Sequence, residues 1–190
     1  MKTINQFTNM KKLLRLAVAI LAVFTAVGTS FAQGMAPAWT SSGSAGSIID
    51  ATSIINSAAG NSQEGENGSV TFKTSRAGNI TLRYNVVNTA VQPMGKSTGL
   101  PPWTTFEMAY IMPATTTITA TLYELPHCSQ TAVAICQIPT VEGNSVRCDA
   151  CTFPATTFDY FNNIYFIEVT MTRPSINVAP PAVCSLRVFN

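Results

Sequence analysis

The chain has 190 residues, 46% of them hydrophobic, with 11 basic and 9 acidic side chains and five cysteines. That length supports a domain with a real core. Beyond the N-terminal 32 residues the few charges are scattered with no run of one sign, which gives no reason to expect nucleic acid or an anionic membrane surface as a partner.

The N-terminal stretch reads as a targeting segment. Lys2, Lys11, Lys12 and Arg15 precede an apolar run over 16–27, and Ser30-Phe31-Ala32 meets the small-x-small pattern of a cleavage site before Gln33. This is the pattern of a secretory signal peptide over 1–32, removed on export. The alternative is an uncleaved anchor, but the apolar run is short against the roughly 20 residues of a bilayer span. No cysteine follows the cleavage site to carry a lipid, and no later stretch is long and apolar enough for a membrane span. The segment takes four of the 11 basic residues and no acidic one, so seven basic face nine acidic residues in the mature chain and its net charge is −2. The sequence pI of 8.3 is thus a property of the precursor. Export to a secreted, periplasmic or cell-surface location follows.

Residues 33–62 form a Gly/Ala/Ser-rich leader, flexible over 33–46, with a candidate first strand or short helix around Ile48-Ile49 and Ile54-Ile55. Residues 58–68 are small, polar and Gly-rich, hence a loop. From Ser69 apolar residues recur with period 2. Val70 and Phe72 share one face, Arg76-Ala77-Gly78-Asn79 has turn composition, and Ile80, Leu82, Tyr84 and Val86 alternate with polar residues. The two segments are expected to form a hairpin. Residues 92–103, with three prolines and two glycines, form a long loop. Phe106, Met108, Tyr110 and Met112 alternate before Pro113-Ala114. Ile118, Ala120 and Leu122 alternate with threonines after it, in what reads as a second hairpin.

Residues 126–158 read as a Cys-rich irregular loop with one short strand at 132–138. The segment 163–173 is apolar on one parity through Tyr165, Ile167, Val169 and Met171. It is nearly so on the other through Ile164 and Phe166, which marks a central strand. Residues 183–189 close the chain as a last strand. Seven to nine strands with apolar residues on both parities predict an all-β fold over 63–190, a single antiparallel β-sandwich of immunoglobulin-like or jelly-roll type.

Cys128, Cys136, Cys148, Cys151 and Cys184 face an oxidising compartment, where disulfides persist. An odd count leaves at least one thiol unpaired within the monomer. Structural bridges are the first reading, with Cys128 to Cys136 and either Cys148 or Cys151 in a second bond. Cys184 is then the odd thiol or reaches back to the loop. A metal site from Cys128, Cys136, Cys148 and Cys151 with His127 competes with oxidation for the same thiols. A redox Cys148-x-x-Cys151 needs a helix N-terminus to activate the thiol, which Pro154 and nearby β-branched residues oppose.

No catalytic constellation emerges. His127, the single histidine, lies between Pro126 and Cys128 and reads as a surface residue; no Gly-x-Ser-x-Gly elbow occurs. Glu107, Glu124 and Glu168 sit on predicted strands. Two of them across a cleft would suit glycoside hydrolysis, whereas pairing of Glu168 with Arg83, Arg173 or Arg187 is the simpler expectation. Trp103, held by Pro101-Pro102, is the candidate ligand contact, since a loop aromatic can stack on a sugar; folding back over the sheet edge is its alternative. The reading is an exported, non-catalytic binding or surface-interaction module for an extracellular glycan or surface protein, with no cofactor.

In outline the chain also resembles fimbrial-type subunits. It shares with them a signal peptide, a Gly/Ala/Ser leader, a Thr-rich domain of low charge, cysteines, and an alternating C-terminal strand with penultimate Phe189. Every cysteine here falls in the second half, where those subunits pair an early one. The resemblance implies a structural subunit assembled by strand exchange.

Overall fold

The computed structural model describes residues 38–49, 62–64, 68–89 and 100–190. The chain divides into two compact units, Met1–Met35 and Ala36–Asn190, and all described residues belong to the second. The signal segment, residues 33–37, Ile54-Ile55 and most of the 92–103 loop lie outside them. Among the described residues no helix is long and apolar enough to cross a membrane.

Eleven strands carry the described fold: β1 Trp39–Ser42, β2 Ser47–Ile48, β3 Ser62–Glu64, β4 Val70–Phe72, β5 Gly78–Val86, β6 Thr105–Met112, β7 Thr117–Pro126, β8 Val133–Gln137, β9 Gly143–Thr152, β10 Asn163–Arg173 and β11 Ala182–Phe189. They form two antiparallel sheets. One runs β3-β4-β11-β6-β9, with β1 also on β11; the other runs β2-β5-β10-β7-β8. The β-sandwich is as expected. The strand count is higher because the leader and the Cys-rich segment contribute strands of their own.

β10 lies at the centre of its sheet. Val169 stands opposite Leu82 of β5 on one side and Ala120 of β7 on the other. Tyr165, Ile167, Val169 and Met171 are buried, and they share one core with Phe106 and Met108 of β6 and Leu186 and Val188 of β11. Period-2 burial on β5, β6 and β7 completes that core. Two sheets close over it because each of these strands is apolar on one parity.

Neither expected hairpin forms. β4 pairs with β3 and β11, while β5 pairs with β2 and β10. The turn after Phe72 therefore crosses from one sheet to the other. Arg173 fixes the crossing. Only 3% exposed, its guanidinium donates to the carbonyls of Lys73, Thr74 and Arg76 on the crossing loop, and to those of Ile176 and Val178 after β10. Likewise β6 and β7 lie in different sheets. The Pro113–Thr116 turn between them has Thr115 at φ 66° and the buried Thr116 hydroxyl donating to the Pro113 carbonyl.

The leader is not free over 39–46. Trp39 is buried and β1 runs along β11. A 3-10 turn at Gly43–Ala45 then carries the chain to β2 on β5. The Tyr84 hydroxyl donates to the Gly43 carbonyl. A Cβ on Gly43 would lie 2.0 Å from the Val183 carbonyl oxygen, so only glycine fits this crossing.

The Cys-rich segment holds the expected short strand, β8, and is more ordered than expected in also holding the ten-residue β9. The disulfide joins Cys136 to Cys151, which corrects the pairing of Cys128 with Cys136. Cys128 sits exposed at φ 64° in the turn after β7. On β9, Cys148 and Cys151 are three residues apart and face opposite sides of the strand. Cys151 turns inward beside Phe106, Cys136 inward beside Leu122, and the bond ties the two sheets. Cys148 and Cys184 are free thiols.

Candidate functional site

An aromatic cluster at one end of the sandwich builds the site. Trp103 meets Phe158 edge-on at 5.2 Å, and Phe158 contacts Phe153, Tyr160 and Tyr165. Such pairs favour tilted and edge-to-face geometry and lock the segment that carries them. The Tyr165 hydroxyl accepts from the Asp159 N–H at 2.7 Å and donates to the Thr157 carbonyl at 2.9 Å. Tyr160 donates to the Val86 carbonyl at 3.2 Å. The Asp159 carboxylate accepts from the Phe161 N–H and the Asn162 side chain, closing a tight turn before β10. The Asn162 contact, foremost, holds the Asp159 pKa below its ordinary value.

This scaffold opens a groove of about 630 Å³ lined by Asn85, Val86, Val87, Asn88, His127, Tyr160, Asn163, Ile164 and Tyr165. β5 supplies its end, β10 its start, and His127 stands just past β7, donating its N–H to the Asn162 carbonyl at 2.8 Å. Asn85, Val87, Asn88, His127 and Ile164 are exposed. Phe161, 79% exposed, follows Tyr160 at the tip of the turn. No lining residue is a carboxylate, lysine or arginine. Burial pushes the Tyr160 and Tyr165 hydroxyls up, so both stay neutral. Three amides, an imidazole and two phenols thus stand among branched apolar side chains.

Trp103 is not part of this surface. It is 0% exposed, so the expectation of a stacking contact is corrected: Pro101 is buried with it and draws the ring inward. Its part is to support the turn from beneath. His127 is exposed as expected and, in addition, lines the groove.

The carboxylates do not converge. Glu107 faces outward on β6 beside Arg187 of β11, in one sheet. Glu168 lies on the outer face of the other sheet, where its Oε2 accepts from Arg83 at 3.2 Å; that guanidinium also covers the Phe166 ring at 4.2 Å. Glu124 stands opposite Tyr165, on the core-facing parity. No two of the three share a face, so the cleft of a glycoside hydrolase is not assembled from them.

The cysteines are also dispersed. Cys136 and Cys151 are consumed by their bond, and among the described residues no cluster of three or more His, Cys, Asp or Glu could hold a metal. Burial, with Cys148 nearby, pushes the Cys184 thiol up, away from reactivity.

Asn85, Asn88, Tyr160 and Asn163 were not legible as a group. They come from two strands and a turn, and no motif joins them. The nearest signal is outward Asn85, beside Arg83 and Thr81 on the same face of β5, near the Asn162-Asn163 pair at the start of β10.

No family model and no curated protein matches the chain. Solved structures similar to it include a xylan-binding module, 12% identical, covering 82% of this chain and 92% of that one at a TM-score of 0.39. Another is a family 11 carbohydrate-binding module from Clostridium thermocellum in complex with a β-1,3-1,4-mixed-linked tetrasaccharide, 11% identical, covering 84% and 92% at a TM-score of 0.37. A third is a family two carbohydrate esterase from Cellvibrio japonicus, 8% identical at a TM-score of 0.38; the match covers 81% of this chain and only 34% of the esterase. At these values the likeness is one of strand architecture and bears on no ligand.

Proposed function

We propose that the protein is exported after loss of residues 1–32 and acts as a non-catalytic binding module, holding a neutral, polyhydroxylated ligand of the extracellular glycan class in the groove at the end of β5 and β10. The supporting observation is the groove's lining: three amides and an imidazole among Val87, Ile164 and Tyr160, with no formal charge from Asp, Glu, Lys or Arg. An amide both donates and accepts, as a sugar hydroxyl does. The C–H face of a pyranose packs on branched and aromatic side chains, and Val87, Ile164 and Tyr160 offer such surface in the lining. An acidic or basic ligand would meet no counter-charge here. A hydrolytic role lacks an acid and base pair among these side chains.

A glycan array probed with the purified protein tests the reading. Binding to one group of neutral oligosaccharides is expected, and the Asn85→Ala/Asn163→Ala double variant loses it while keeping its fold. Binding confined to charged glycans, or unchanged in that variant, contradicts the assignment.

Strand exchange has no comparable support. β11 already lies between β6 on one side and β4 and β1 on the other, so its place in the sheet is filled from within the chain.

A further inference from the structure

We infer that β9 is the seat of a two-fold dimer of this protein, formed by antiparallel pairing of the strand with its copy about Cys148. β9 ends its sheet, bonded to β6 alone among the described strands. Residues 144–148 and Ala150 are exposed, and none of the described strands pairs with that side. An edge of this length with free backbone groups is a template for another strand.

The backbone phase suits the axis. The Phe153 N–H donates to the Thr104 carbonyl, in register with the β9–β6 ladder. Residues 149 and 151 therefore turn their backbone groups toward β6, and 148 and 150 toward the open side. Cys148 can form a hydrogen-bonded pair with itself across a two-fold axis. Arg147 and Asp149 flank it, so the same axis sets each arginine opposite Asp149 of the second copy. These are non-hydrogen-bonded positions, where facing Cα atoms lie about 4.5 Å apart. Within one chain the two side chains already approach to 3.8 Å and are partly exposed, and the same Asp149 oxygen also accepts from the Tyr110 hydroxyl.

Charge selects the register. An axis on residue 147 sets Arg147 against Arg147, and one on residue 149 sets Asp149 against Asp149. The axis on Cys148 replaces both repulsions with two attractions. The register shift opposite Tyr110 to Met112 falls before Arg147, so the regular ladder about this axis is the 147–149 pairing, and 150–152 meet 144–146 of the second copy, where β9 departs from the regular register. A two-fold contact is self-complementary, as this one is.

Sedimentation equilibrium of the Cys128→Ser/Cys148→Ser/Cys184→Ser variant without reductant tests the inference, so that no disulfide between copies contributes and the Cys136–Cys151 bond stays intact. A monomer–dimer equilibrium is expected. Arg147→Asp weakens it by about tenfold or more, since two facing pairs turn from attractive to repulsive. Adding Asp149→Arg restores the complementarity and the dimer. A short-spacer bismaleimide, which links thiols without redox chemistry, crosslinks the protein and its Cys128→Ser/Cys184→Ser variant but not Cys148→Ser. That arm needs no charge variant and holds where those fold poorly. A protein monomeric at all concentrations, a dimer indifferent to Arg147→Asp, or a crosslink that survives Cys148→Ser overturns the proposal.

Discussion

Cys136 and Cys151, 15 residues apart in sequence with Cα atoms 6.0 Å apart, join the edge strand of one sheet to the edge strand of the other. Hydrogen bonding cannot do this, because facing sheets share no ladder. The bond closes a loop whose loss in the unfolded chain is worth about 3 kcal/mol on the chain-entropy model. Cys136→Ala/Cys151→Ala is expected to lower the denaturant midpoint by roughly that free energy, whereas Cys128→Ser, in an exposed turn, leaves it unchanged. Urea unfolding followed by circular dichroism checks both.

Arg173 provides a second cross-tie. Its guanidinium serves five backbone carbonyls on two loops, and lysine offers neither the fork nor the number of donors. Arg173→Lys is expected to cost about 2–3 kcal/mol, and Arg173→Met more, since it leaves the carbonyls without a donor in a dry site. Hydrogen exchange should show the loss first at 73–76 and 174–178.

Trp103 acts through packing. Trp103→Ala is expected to destabilise by about 3–5 kcal/mol, and Trp103→Phe by less. Because the cluster holds the 153–162 turn, Trp103→Phe should also weaken ligand binding without any contact to ligand, a combination that paired thermal-shift and binding measurements detect.

What was legible in the chain follows from burial. β10 declared itself central because both its parities are apolar, and β5, β6 and β7 showed their inward faces by strict alternation. The partners of these strands were hidden. A short turn between two alternating strands serves a hairpin and a sheet crossing equally, and Arg173 and Thr116, which fix the crossings, are distant or featureless in sequence. β9 escaped notice because an edge strand, wet on nearly every residue, has no apolar period; its cysteines drew attention and its backbone did not. Trp103 misled because Pro101-Pro102 resembles a loop mount, while Pro101 is itself buried. The groove assembles from amides that no local pattern links.

Buried phenols set the alkaline limit of stability. Burial foremost raises the pKa values of Tyr84, Tyr110, Tyr160 and Tyr165 in the folded state. The folded state then holds protons that the unfolded state releases above about pH 10. Stability is accordingly independent of these groups below that pH and falls as pH rises beyond it. Base-induced unfolding should coincide with the appearance of tyrosinate absorbance, and Tyr84→Phe should move the transition to higher pH if the variant folds equally well. In a Tyr123→Phe background, which removes the fifth tyrosine, a tyrosinate signal developing in the intact fold contradicts this.

The neutral groove is most directly tested by calorimetric titration of the purified protein with the neutral oligosaccharide that binds best on the array, at low and at high salt. The account predicts one site, an affinity indifferent to ionic strength, and loss of binding in Ile164→Glu, which places a carboxylate at the rim. Failure of every neutral oligosaccharide to bind, or binding that collapses with salt or survives Ile164→Glu, contradicts it.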